Sequence, residues 1–74
     1  MSFKDFLQSV RVTSTPRGEF IADAKTLINA GVFPPVDSWS ALYRFMSRRG
    51  SRAETIEIAR KVWREYKAKV SEAA

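Results

Sequence analysis

The 74-residue chain contains no cysteine and no histidine. Without cysteine there is no disulfide framework and no thiol chemistry. Without either residue the nitrogen and sulfur ligands of zinc, copper and haem sites are missing, and the commonest general base is absent. No glycine-rich phosphate loop occurs, no spacing of serine and lysine suggests a dyad, and no carboxylate pair falls in a credible cleft. Glu19 and Asp23 are four apart on one helical face. Two carboxylates without a third ligand or a phosphate make a weak magnesium site, however, and they read better as a solvated acidic face. An enzyme is not expected, and neither is a cofactor or a metal. No apolar run approaches the ~20 residues of a membrane span, and Met1-Ser2-Phe3-Lys4-Asp5-Phe6-Leu7 has no continuous apolar core of the kind a secretory signal needs. A cytoplasmic protein with no membrane partner is the expectation.

What remains is apolar and basic. A chain this short buries only about 60% of its unfolded surface, so its core must be dense in large side chains. Nine aromatics in a composition that is 45% hydrophobic meet that need within one domain. The 13 Lys and Arg exceed the 8 Asp and Glu by five, and the excess is confined to one half. Residues 1–37 carry four basic and four acidic groups, whereas residues 38–74 carry nine basic and four acidic. Such asymmetry favours an anionic partner, most often nucleic acid.

Four helical segments are predicted and no strand. In the first, over about 2–10, Phe3, Phe6, Leu7 and Val10 recur at helical spacing, with Ser2 as cap and Asp5 in the first turn. Thr15 followed by Pro16 marks the start of the second, over about 16–30. Its stripe is Phe20, Ile21, Ala24, Leu27 and Ile28, and Gly31 is suited to end it. Residues 31–37, with Pro34 and Pro35, cannot be regular helix. Their apolar Val32, Phe33 and Val36 are expected to pack down on the core. The third helix, about 38–49, presents Trp39, Leu42, Tyr43 and Met46 inward and ends at Gly50. Ser51 and Glu54 fit a capping box that opens the fourth. That helix runs to about 70 on a stripe of Ile56, Ala59, Val62, Trp63, Tyr66 and Val70, and residues 71–74 are expected to fray.

Phe3-x-x-Phe6-Leu7, Phe33-Pro34, Leu42-x-x-Phe45-Met46 and Trp63-x-x-Tyr66 occur in that order. Over roughly residues 2–67 this pattern resembles the YozE SAM-like family of small bacterial and phage proteins. The resemblance implies a compact all-α array of four helices, like a sterile alpha motif domain, with an extended apolar proline loop between the second and third. It implies no activity and no catalytic residue.

The chemistry is therefore sought in charge. Arg44, Arg48, Arg49 and Arg52 surround the turn at Gly50-Ser51. A guanidinium fork suits a phosphate better than an ammonium does, and the start of the fourth helix adds N–H groups and a positive dipole end. The same arginines also offset the dipole at the end of the third helix, or face an acidic protein surface. On the fourth helix, Glu57 and Glu65 stand four residues before Lys61 and Lys69, as ordinary ion pairs do. Arg60, Arg64 and Lys67 remain as a stripe beside the apolar face, where long basic stems also serve to cover the core edge. Trp39, Tyr43, Trp63 and Tyr66 have faces on which a base can stack, but all lie on stripes that must bury; Trp39 and Trp63 are expected in the core, and the two tyrosines are expected to reach the surface through their hydroxyls. Two functions are expected to compete. One is weak, sequence-indifferent binding of DNA or RNA through backbone phosphates. The other is a protein-interaction module, monomeric or weakly self-associating head to tail, with the neutral first half of one copy, through Glu19 and Asp23, against the basic second half of the next.

Overall fold

The computed structural model describes residues 1–73, and the fold is all-α. The elements are α1 (Phe3–Ser9), α2 (Pro16–Asn29), α3 (Trp39–Arg48) and α4 (Ala53–Ala73). Each of the first three starts where a short polar side chain can accept from the free N–H groups of the first turn. Ser2 Oγ accepts from the Asp5 N–H while the Asp5 carboxylate accepts from the Ser2 N–H, closing a capping box. Thr15 caps α2 ahead of Pro16, and Ser38 caps α3 by accepting from the Ala41 N–H at 3.1 Å.

Both helix ends that precede a glycine close in the same way. The Gly31 N–H donates to the Ile28 carbonyl and the Val32 N–H to the Leu27 carbonyl, at 3.0 and 3.1 Å. The Gly50 N–H donates to the Ser47 carbonyl and the Ser51 N–H to the Met46 carbonyl, both at 3.1 Å. These are Schellman closures, which need a left-handed residue at the glycine, and both glycines have φ of +75°.

The second closure corrects the expected capping box at Ser51. Its backbone is committed to ending α3, so α4 begins two residues later, at Ala53, with the Arg52 carbonyl accepting from the Ile56 N–H. Among the described residues no side-chain hydrogen bond joins Ser51 to α4. Gly50→Ala is therefore expected to cost about 1–2 kcal/mol, the penalty of placing a Cβ in the left-handed region. Ser51→Ala should stay within about 0.5 kcal/mol of the parent in the same thermal melts. A larger loss at Ser51 than at Gly50 would restore the capping box.

α4 packs against each of the other three helices, and α1 also packs on α2. α1 and α3 do not pack directly on one another. The loop between α2 and α3 fills that space: Phe33 is 4% exposed, with its ring 6.4 Å from Phe3 and 5.2 Å from Phe45. Val36 is buried as well, but Val32, the residue that closes α2, turns its side chain outward and is 53% exposed. One continuous core results, drawn from all four helices and the loop. At its centre Phe3 meets Trp63 at 4.9 Å and Tyr66 at 5.3 Å. The Tyr66 hydroxyl donates to the Met1 carbonyl, so the half-buried ring packs against the core while its polar end holds the N-terminus.

Two further expectations are revised. α4 continues helically through Ala73 where residues from 71 onward were expected to fray, and Ala74 lies outside the described residues. Neither expected helical ion pair forms. Glu65 instead accepts two hydrogen bonds from Arg17, at 2.6 and 2.8 Å, and Glu57 lies 3.9 Å from Arg60. The Arg17–Glu65 fork ties the start of α2 to α4. The hydrogen bond and the charge of Glu65 raise the pKa of Arg17 further. Both side chains stay partly solvated, so the pair is worth no more than a surface ion pair of good geometry.

Candidate functional site

Helix α3 decides what its surroundings present. Leu42 and Met46 are buried and Phe45 packs against the core, so the inward stripe is Leu42, Phe45 and Met46. Tyr43 is thereby turned out and is 45% exposed, where an inward position was expected. Trp39, also expected in the core, is only half-buried at its edge. The two rings lie one turn apart, with centroids 6.1 Å apart and planes at 58°. Arg60 of α4 lies over Trp39, its guanidinium carbon 5.4 Å from the ring centroid, in the geometry of a cation–π contact. Trp39, Ser40, Tyr43, Arg44 and Arg60 together line a shallow cleft of about 480 Å³.

The four arginines expected at the turn divide among different surroundings. Arg44 and Arg48 share a groove with Pro34, Pro35, Val36 and Phe45. Arg49 points toward α2 and rests over the Phe45 ring at 5.7 Å. Arg52 is exposed at the head of α4. That helix start is a poorer anion site than expected, because Glu54 stands in its first turn and meets the positive dipole end itself. The structure instead joins Arg44 to the second expected group. Arg44 shares one groove with Arg48 and the Trp39 cleft with Arg60, and Arg64 and Lys67 follow Arg60 on the same side of α4. Arg64 and Lys67 are exposed, and Arg60 is half-buried, its stem covering Trp39 as a long basic side chain at a core edge does. Arg48, Arg44, Arg60, Arg64 and Lys67 thus form a track across α3 and α4.

Charge pairing leaves that track open. Of the nine cations in residues 38–74, only Arg60 has a carboxylate within 4.0 Å among the described residues. The reason lies partly in the Arg17 fork, which draws Glu65 away from the lysines beside it. On another side of the molecule Glu19, Asp23 and Glu54 line a groove between α2 and α4 with Pro16, Phe20, Thr55 and Ile58. Among the described residues no group of three or more acidic side chains is placed to hold a metal ion, and no helix is long and apolar enough to cross a membrane.

The apolar stripe expected for α3 holds Tyr43 and leaves out Phe45, which enters only through the Leu42-x-x-Phe45-Met46 motif of the family resemblance. Trp39, Leu42, Tyr43 and Met46 make one apolar stripe on α3, and Leu42, Phe45 and Met46 make another, rotated slightly about the axis. Periodicity fits both. The choice is made by Phe33, whose ring occupies the place that Phe45 meets. No protein-family model matches the chain, nor does any curated protein or solved structure.

Proposed function

We propose that this chain is a small non-enzymatic helical domain of the cytoplasm that binds nucleic acid, DNA or RNA, weakly and with little regard to sequence. The order of its core aromatics resembles the YozE SAM-like family, a likeness that bears on fold and not on activity. The observation that carries the proposal is the cation track: eight of nine basic groups in residues 38–74 lack a carboxylate partner among the described residues, and four of those eight line up with Arg60 across α3 and α4. Unpaired surface cations in a row repel one another, and a polyanion that releases its counterions on binding relieves that repulsion. Arginine predominates in the row, which suits two-pronged contact with phosphate oxygens. Such contacts go to the backbone and carry no base information, hence the expected indifference to sequence.

The test is the salt dependence of binding to a short duplex. With about four phosphates neutralised, log K should fall with log salt at a slope of roughly −3.6. Replacing Arg48 and Arg64 together by Ala should reduce the magnitude of that slope by about two, one for each lost phosphate contact. Both side chains are exposed, so the fold should survive. Binding that ignores salt, or a double variant that binds as the parent does, excludes the track as the nucleic-acid surface.

A second function has one observation in its favour. The Glu19, Asp23 and Glu54 groove offers a carboxylate-lined counterpart to the arginine track. A second copy that set its track in this groove would associate head to tail, a contact that repeats without closing. Mass that rises with protein concentration in the absence of nucleic acid, and that falls on charge reversal at Glu19 and Asp23, would favour association over nucleic-acid binding.

A further inference from the structure

We infer that the Trp39–Tyr43 cleft receives an unstacked base of a single-stranded nucleic acid, while Arg44 and Arg60 meet the flanking phosphates. This rests on the proposed nucleic-acid binding and adds the form of nucleic acid bound. Three features of the cleft point to it. Tyr43 exposes 45% of its surface, although it belongs to a helix whose other large apolar side chains are buried or half-buried. Trp39 has Arg60 over its ring and stands at 58° to Tyr43, so the two rings form a corner and not a closed stack. A base laid on Tyr43 meets the edge of Trp39, a favourable arrangement for aromatic groups. Arg44 and Arg60 line the same cleft, and the Arg60 side chain remains 42% exposed.

The chemistry selects among anionic partners. A base in a duplex is stacked on both faces and cannot cover Tyr43, whereas a single strand can turn one out. An acidic peptide satisfies the two arginines but leaves the ring of Tyr43 against water. Base stacking is also tolerant of sequence, because every base has a π-face. The track beyond the cleft, through Arg64 and Lys67, then follows the backbone of the strand.

The experiment compares a labelled oligothymidylate with a duplex of equal length at low salt, using the full chain and its Tyr43→Ala and Tyr43→Phe variants. Tyr43→Ala should weaken the single strand about tenfold, within the range for a lost base stack, and leave duplex affinity unchanged. Tyr43→Phe should keep the parent's affinity for both, since the ring and not the hydroxyl makes the contact. Tryptophan emission provides a readout that needs no Tyr43 variant: oligothymidylate should quench it and the duplex should not, and Trp39→Phe should abolish the quenching. If Tyr43→Ala weakens both forms equally or neither, and oligothymidylate leaves the emission unchanged, the cleft is not a base site, though binding through the track stands. If the parent binds neither form, the cleft and the track fall together.

Discussion

Trp63→Ala should unfold the domain or bring it to the edge of unfolding. Truncating a large buried aromatic costs about 3–5 kcal/mol through lost transfer energy and the cavity left behind. A domain of this length is stable by only about 4–11 kcal/mol in total. Trp63 is 8% exposed and sits on the helix that touches all three others. Its ring lies 4.9 Å from Phe3 and 5.2 Å from Tyr66, so α1 loses a central contact with α4 when the indole is removed. Urea unfolding of the parent and variant gives the difference directly. A loss below about 1 kcal/mol would show that the ring is not part of the core, since only surface substitutions are that mild.

Gly18→Ala should also destabilise, by about 2 kcal/mol, against the usual gain for this exchange in a helix. Alanine is favoured over glycine in helices by about 1 kcal/mol. At Gly18, however, an added Cβ would stand well under 3.0 Å from the Thr13 carbonyl oxygen and close to its Oγ1 as well. Backbone atoms cannot yield as the end of a flexible side chain does, and such overpacking costs about 1–3 kcal/mol. The shift would also disturb Thr15, whose Oγ1 accepts from the Gly18 N–H at 3.0 Å and lies 2.8 Å from the Thr13 hydroxyl. A lost cap adds about 1 kcal/mol. If the alanine variant melts above the parent, residues 13–15 do not fold over the first turn of α2.

Most of the helical architecture was legible because its signals are local. Ser2, Thr15 and Ser38 act as caps through atoms a few residues away, and Gly31 and Gly50 end helices because of their own backbone freedom. The apolar stripes of α1 and α2 needed no knowledge of their partners. At Ser51 two local rules compete. A serine three residues before a glutamate suits a helix start, but the residue after a Schellman glycine is already bound to the preceding helix. Helical spacing offers Glu57 and Glu65 each a lysine, whereas Arg17 reaches Glu65 only through the packing of α2 on α4.

The candidate site divides along the same line. The sequence by itself determined the four helices, the caps of the first three and the confinement of net positive charge to residues 38–74, because each depends on residue identity or on neighbours within one turn. Only the tertiary structure decided which of two overlapping stripes of α3 faces the core. Phe33, carried in by the proline loop, takes Phe45 as its neighbour and so turns Tyr43 outward. It also brought Arg44 beside Arg60, sixteen positions along the chain. Helical period sets the angle between residues on one helix, but the rotation of that helix against its neighbours is set by which side chains fill the space between them.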